Sequence, residues 1–158
     1  MNFLGIDPGI VSPGFSVVKK NGIGFDLISA GSVSLNSSKS IQWRLSFLYD
    51  FFSQHIADHS VVALSLETPF LGKNTQNFLK LGYVRGVLYL LAAQHSLELY
   101  EFSPRQVKLA ITGFGGAEKE QVARCLMRFL PVFDIKNLKN YDITDAIAIA
   151  LCAAFQSK

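Results

Sequence analysis

Met1-Asn2-Phe3-Leu4-Gly5-Ile6-Asp7-Pro8-Gly9, followed by Gly14-Phe15-Ser16-Val17-Val18, is the stretch on which the fold turns. An apolar lead-in ends in a carboxylate, and Pro-Gly stops the strand straight after it. An aspartate there is costly to bury unless a metal ion or another cation lies against it. Read singly, Asp7 is as well explained as a turn residue before Pro-Gly. The choice depends on which other residues the chain brings to the same strand end.

Working outward, residues 2–7, 13–19 and 24–35 read as three strands bounded by Gly, Pro or Asn, with Lys20-Asn21-Gly22 as a hairpin signal. Leu45, Leu48, Phe52 and Ile56 recur at helical spacing and predict an amphipathic helix over 41–56, with Ser38 or Ser40 as N-cap. Val61-Val62-Ala63-Leu64-Ser65-Leu66 reads as a fully buried strand that ends in Glu67, a second carboxylate at a strand end. Residues 70–76, with Gly72, Lys73 and Asn74, have no periodicity and predict an exposed loop before a helix from about 76 to 95. A short strand over 97–102 leads into Ser103-Pro104, an N-cap followed by proline at the first helical position, and that helix runs to about 111. Thr112-Gly113-Phe114-Gly115-Gly116 breaks it; Ala117 to Leu130 is the next helix, stopped by Pro131, and 131–141 is polar and irregular. Asp142 to Phe155 is apolar nearly all round, which predicts a helix packed against the sheet. Three strands in a meander followed by alternating helices and strands give an α/β domain, one mixed five-stranded sheet with helices on its faces. No boundary interrupts the chain, so residues 1–158 are expected to form a single domain.

With 49% hydrophobic residues and a positive mean hydropathy, the chain is able to bury a core and is no disordered tail. No charged start, apolar middle and cleavage site of a signal peptide is visible, and apolar runs such as Ala146–Phe155 are too short to span a bilayer. The expectation is a soluble cytoplasmic protein without membrane contact. Cys125 and Cys152 are the only cysteines and have neither CxxC spacing nor nearby histidines, so they read as reduced core thiols. Charge is unevenly placed: residues 71–139 hold ten Lys and Arg against five Asp and Glu, while the flanks are slightly acidic. That division suits a protein that grips a polyanion and holds cations beside it, although an ordinary solvated surface accounts for it equally well.

Asp142 and Asp145 are three residues apart and share one face of the last helix at its start. Alone, they are ordinary partners for a helix N-terminus; alone, Glu67 is a solvated acid at a strand end. Together with Asp7 they form a set. Two adjacent strand ends and one buried helix start converge on one point, and four carboxylates there would repel one another unless divalent cations sat between them. An all-oxygen cluster suits Mg²⁺ or Mn²⁺, and two such ions about 4 Å apart stabilise the attacking and leaving oxygens of a phosphodiester displacement. A metal-dependent nuclease is the chemistry this predicts. Lys108 and Lys119 lie on either side of the glycine-rich break, where they are able to stabilise charge at a scissile phosphate; in isolation they are two surface lysines.

Gly5-Ile6-Asp7-Pro8-Gly9, Leu66-Glu67, Lys73-Asn74, Leu79-Lys80-Leu81-Gly82 with Arg85-Gly86-Val87, Pro104-Arg105-Gln106-Val107-Lys108, Gly113-Phe114-Gly115-Gly116-Ala117-Glu118-Lys119 with Gln121-Val122, and Asp142-Ile143-Thr144-Asp145-Ala146 together resemble the bacterial RuvC family of Holliday-junction resolvases. The match runs in order over nearly the whole chain. A lone Asp-x-Gly after a strand also opens actin-like ATPases, so the ordered set, and no single piece, carries the likeness.

The resemblance implies a ribonuclease H-like fold with helices on both faces of the sheet, and a homodimer acting on four-way junction DNA. It implies metal ligands at Asp7, Glu67, Asp142 and Asp145, holding two Mg²⁺ (or Mn²⁺) ions per active site, and functional lysines at Lys108 and Lys119. Phe70 matches an aromatic associated with opening base pairs at the crossover, as an exposed ring is able to stack on an unpaired base. Lys73, Asn74, Lys80, Arg85 and Arg105 fall within matching motifs and are the candidate DNA contacts. A branch-migration motor is implied as a partner. Phe15 stands where Tyr is common in the family, Gly116 where Ser is common, and 131–141 matches nothing. Two other readings stand beside the nuclease: a junction-binding module with structural carboxylates, and an actin-like nucleotide-binding protein. The second is disfavoured because that architecture repeats its fold in two domains and 158 residues leave no room. For the dimer contact the apolar helix at 76–95 is the candidate, with full burial inside one subunit as the ordinary alternative.

Overall fold

The computed structural model describes residues 1–69, 75–130 and 141–157. In chain order the elements are β1 (Asn2–Asp7), β2 (Gly14–Asn21), β3 (Gly24–Ser32), α1 (Ile41–Asp58), β4 (Val61–Glu67), α2 (Thr75–Gln94), β5 (Glu98–Phe102), α3 (Pro104–Thr112), α4 (Lys119–Phe129) and α5 (Tyr141–Gln156). The strands form one mixed sheet in the order β3-β2-β1-β4-β5. β1 pairs antiparallel with β2 and parallel with β4, and β4 pairs parallel with β5. The hairpin turns at Gly22, whose φ of +57° is a left-handed value that glycine takes without strain.

Local chemistry sets the boundaries. Ser40, the second of the two candidate caps, accepts the Trp43 N–H and starts α1. Ser103 and Gln106 form a reciprocal capping box ahead of α3, with Pro104 at its first turn, and Gly113 at φ +79° closes that helix. Two boundaries differ from expectation. α4 starts at Lys119 and not at Ala117, because Glu118 has an extended backbone and serves as its N-cap. The strand expected to reach residue 35 ends at Ser32, since its partner β2 begins only at Gly14. Beyond that point Val33 and Leu35 donate to the carbonyls of Pro13 and Val11 at 2.9 and 2.8 Å, outside the ladder.

Side chains alternate across the sheet, and the two faces carry different residues. Leu4, Ile6, Val17, Leu64 and Leu66 point to α1 and α2, where they meet Leu48, Phe52, Leu88 and Leu91, all fully buried. Phe3, Val18, Ala63 and Phe102 point to the other face with α3, α4 and α5. Helix α5 lies directly on that face because glycine and serine stand beneath it. A Cβ on Gly5 would fall 2.2 Å from the Ala146 carbonyl oxygen, and one on Gly14 would fall 2.2 Å from that of Asp142. Ser16 and Ser65, both without exposed surface, donate to the carbonyls of Ala146 and Ile149 at 3.0 and 2.9 Å. As expected, α5 is buried on almost every side from Ala146 to Ala154. Among the described residues no helix is long and apolar enough to cross a membrane.

Candidate active site

The strand alternation that sends Leu4 and Ile6 to one core sends Asp7 to the other face, and the same parity places Glu67 beside it. β1 and β4 are neighbours paired with Ile6 opposite Leu66, so their last residues, Asp7 and Glu67, lie side by side at one end of the sheet. The start of α5 reaches the same end because Gly14, paired with Asp7 across β1 and β2, lets the Asp142 backbone rest on it. The tight seating of α5 is therefore what brings Asp142 and Asp145 to the two strand ends.

The electrostatics record this convergence. Asp7 is pushed up from its ordinary 3.8 to about 7, first by burial, then by repulsion from Glu67, Asp145 and Asp142, which Lys119 only partly offsets. Burial, followed by the charge on Asp145, also raises Glu67, while Lys119 and Lys108 pull it back down. Lys119, at the start of α4, donates its Nζ to Asp145 Oδ2 at 2.8 Å and is itself held above its usual value, chiefly by that hydrogen bond. The ring of Tyr141 lies 5.6 Å from the same ammonium, and its hydroxyl donates to Glu120 at 2.9 Å. A cleft of about 210 Å³ joins Glu67 and Asp145 to Lys108 and Lys119, walled by Val107 and Val122. A larger cleft of about 380 Å³, among Thr112, Phe114, Arg124 and Arg128 on another face of α4, contains none of the acids.

The structure thus brings together Asp7, Glu67, Asp142, Asp145, Lys108 and Lys119. Among the described residues no three Asp, Glu, His or Cys groups are drawn tightly enough onto one centre to grip an ion as they stand. The quartet is an electrostatic cluster with the Lys119 ammonium as its counter-charge. Its donors are all oxygens, and its crowding is of the kind a hard divalent cation relieves, so the residues fit such a metal.

The remaining candidates divide. Lys80 on α2 and Arg105 on α3 are exposed; the Arg105 stem lies over Gly115, where a Cβ would come within 2.8 Å of its Cγ, so the glycine-rich turn and the arginine fit one another. Phe70, Lys73 and Asn74 lie outside the described residues. Arg85 departs from its expected place as a DNA contact. It is only 6% exposed, it donates from Nη1 to the Glu67 carbonyl at 2.5 Å and from Nη2 to the Tyr89 hydroxyl at 3.0 Å, and it is ion-paired with Glu101. With its donors turned inward on the protein, it is part of the scaffold. The sequence reading missed this, and it missed Tyr141 and the two serine anchors. The available signal was Glu101, an acid placed on the apolar side of β5 opposite Leu66.

The fold and the acid cluster together define a ribonuclease H-like nuclease. The sequence model of the family described as crossover junction endodeoxyribonuclease RuvC matches residues 3–153. The chain is 43% identical over 152 residues to the crossover junction endodeoxyribonuclease RuvC of Prosthecochloris aestuarii, spanning 96% of this chain and 80% of that relative. It is 42% identical to that of Chlorobium phaeobacteroides over the same shares. Among solved structures, T. thermophilus RuvC in complex with a Holliday junction substrate aligns with a TM-score of 0.90 at 28% identity, over 98% of this chain and 93% of that one. The chain belongs to the RuvC family. Membership carries with it a divalent metal cofactor.

Proposed function

We propose that the protein is a structure-selective endonuclease that binds four-way junction DNA and resolves it by paired symmetric nicks, serving DNA recombination and repair. The observation that carries this reading is the meeting of Asp7, Glu67, Asp142 and Asp145 with Lys108 and Lys119 at one end of the sheet, in a chain of this family. The four carboxylates Asp7, Glu67, Asp142 and Asp145 would hold the divalent ions, two Mg²⁺ or Mn²⁺ per active site. When bound, the ions supply Lewis-acid stabilisation of the attacking and leaving oxygens. The chain's own part is positioning and charge. Lys108 and Lys119 line the cleft that Glu67 and Asp145 enter, so their ammonium groups flank a phosphodiester lying in it and offset the charge that develops as water adds to phosphorus and the ester oxygen departs. Lys80 on α2 and Arg105 on α3, both exposed, hold flanking phosphates, Lys73 and Asn74 are further DNA contacts, and Phe70 acts at the crossover.

The chain works as one nuclease domain within a homodimer in the cytoplasm, one active site per subunit, beside a branch-migration motor. Support for the dimer comes from α2, whose Leu79, Tyr83 and Leu90 are 57%, 44% and 50% exposed along one stripe while Val84, Leu88 and Leu91 are buried. A monomeric mass in solution at working concentration would count against paired nicking.

The deciding experiment is a gel assay on a synthetic four-way junction with end-labelled strands, in Mg²⁺ or in EDTA. The wild type is expected to yield symmetric nicked duplexes in Mg²⁺ alone. Asp7→Asn is expected to retain junction binding and to lose cleavage by about 10³-fold or more, a loss on the scale of removing a principal electrostatic group. Junction binding by the wild type with no nicks in Mg²⁺ would favour a binding module instead, and normal cleavage by Asp7→Asn would remove that residue from the site.

A further inference from the structure

The Glu67 carboxylate is presented by the last residue of β4, at a point where the sheet ladder runs out. The Thr68 N–H donates to the Phe102 carbonyl at 2.8 Å, so Thr68 faces β5. Backbone groups alternate in direction along a strand, and Glu67, one residue earlier, turns its N–H and C=O toward β1. The parallel register sets Leu66 against Ile6. One step further, the group due to donate to the Glu67 carbonyl is the nitrogen of Pro8, which carries no hydrogen. Pro8 ends β1 directly after Asp7, and in doing so it leaves an acceptor on the adjoining strand.

Arg85 fills that place from the opposite face of the sheet. Its Nη1 donates to the Glu67 carbonyl at 2.5 Å. Its Nη2 serves the Tyr89 hydroxyl and the Glu101 carboxylate, and Tyr89 in turn donates to Glu101 at 2.7 Å, closing a ring of α2 and β5 side chains. The guanidinium also lies 5.5 Å from the centre of the Tyr89 ring, one turn along α2. A buried guanidinium is kept only where its donors are matched, and here one of its acceptors is the backbone of a cluster acid.

We propose that Arg85 is a positioning residue for Glu67. By fixing the carbonyl of residue 67, the guanidinium fixes the peptide plane that ends β4, and with it the direction in which the Glu67 side chain leaves the strand toward Asp7 and Asp145. The pairing with Glu101 keeps this clamp nearly neutral. Lysine cannot replace it, since one ammonium does not span a carbonyl, a hydroxyl and a carboxylate in the planar fork that arginine offers. The inference rests on the nuclease reading for what Glu67 does, but its first measurement needs no DNA.

The test compares wild type, Arg85→Lys and Glu101→Gln in three ways: Mn²⁺ binding to the free protein, followed by the paramagnetic resonance of unbound Mn²⁺; cleavage of a four-way junction across a Mn²⁺ titration; and junction affinity in EDTA. Loss of an outer partner that orients a metal ligand costs about 10–100-fold in metal affinity or activity. Arg85→Lys is expected to bind Mn²⁺ about tenfold more weakly, to need correspondingly more Mn²⁺ for half-maximal cleavage, and to bind the junction within about twofold of wild type. Wild-type Mn²⁺ affinity in folded Arg85→Lys overturns the proposal. So does a tenfold loss of junction affinity with unchanged metal binding, which would make Arg85 a DNA contact. If Arg85→Lys does not fold, Glu101→Gln decides: it keeps the arginine but loosens its anchor, and unchanged Mn²⁺ affinity there is equally fatal. A wild type that binds Mn²⁺ yet leaves the junction uncut sinks the nuclease reading, while Mn²⁺ affinity still judges the clamp.

Discussion

The two faces of the sheet are built from different residues and are held by different forces. Toward α1 and α2 the strands present Leu4, Ile6, Leu64 and Leu66, and the helices answer with Leu48, Phe52, Leu88 and Leu91, an interdigitated core of large side chains. Toward α5 they present Gly5, Gly14, Ser16, Ala63 and Ser65, over which a helix lies at backbone distance. The first face is held by large side chains locked against one another. The second supplies placement, because a helix seated on glycine has no freedom to shift, and the acids at its start inherit that fixity. Stability and function are thus divided across one sheet, and substitutions on the two faces should fail in different ways.

The sharpest way to break this division is a single methyl group. Gly14→Ala puts a Cβ 2.2 Å from the Asp142 carbonyl oxygen, so the first turn of α5 must move away from β2. Displacements of about 1 Å at a catalytic group cost about 10²-fold in rate, and cleavage per folded molecule should fall by at least that factor. Phe52→Ala on the other face removes a fully buried ring and should cost about 3–5 kcal/mol of unfolding free energy. Its folded fraction should nonetheless cut at close to the wild-type rate. Denaturant unfolding together with single-turnover cleavage separates the two. Equal loss of rate in both variants would mean that the faces do not divide the work.

The acid cluster makes the α5 face a liability without metal. Asp7 holds its proton up to about pH 7 in the folded protein, against 3.8 ordinarily. Between those values the unfolded chain binds fewer protons than the folded one, so stability falls as pH rises. Its contribution is fully present below pH 3.8 and lost by about pH 7. At about 1.4 kcal/mol per pH unit the shift amounts to a few kcal/mol. Metal-free protein should therefore lose thermal stability from pH 4 to pH 7, beyond the slope from other groups. Asp7→Asn should flatten that slope and unfold at a higher temperature than wild type at pH 7.5 without metal, and adding Mg²⁺ should stabilise the wild type more than the variant. A metal-free wild type that gains stability over this range as steeply as Asp7→Asn would show that the cluster is solvated and not crowded.

The same division explains what was legible in the sequence. The face that works by hydrophobic periodicity was readable: the Leu45-Leu48-Phe52-Ile56 spacing gave α1, and the apolar run at 61–66 gave β4, each within two residues. The convergence of the four acids was legible because Pro8 stops β1 directly after Asp7, Thr68-Pro69 follows Glu67, and Asp142 and Asp145 stand early in α5. Arg85 was misread because Lys80 and Arg105, the candidate contacts grouped with it, are truly exposed, and a one-dimensional pattern of cations does not distinguish a donor turned to solvent from one turned onto a strand carbonyl. Its partners, Glu67 and Glu101, lie 18 and 16 residues away and meet it only through the parallel order of β4 and β5. Gly5 and Gly14 were given no role of their own within the strands, whereas they admit a close approach, which depends on a helix more than 120 residues further on. Phe70, Lys73 and Asn74 are known here from sequence alone.

The smallest expected effect tests what seats α5, glycine or serine. Ser65 donates to the Ile149 carbonyl at 2.9 Å from a site without exposed surface. That carbonyl also has its own helical donor four residues on, inside α5. Ser65→Ala therefore strands no buried acceptor: the hydroxyl leaves, the volume change is slight, and the helical bond persists. Only the net worth of one hydrogen bond is at stake, about 0.5–1.5 kcal/mol, and not the larger penalty of an unsatisfied group. The rate of cleavage should stay within about twofold, since the glycine contacts that fix the position of α5 are untouched. A loss above about 3 kcal/mol, or a rate that falls as far as in Gly14→Ala, would transfer the seating of the helix from shape to hydrogen bonding. In that case Ser16→Ala, which removes the matching bond to Ala146, should add more than its own share in the double variant, because two anchors of one rigid helix are coupled through it.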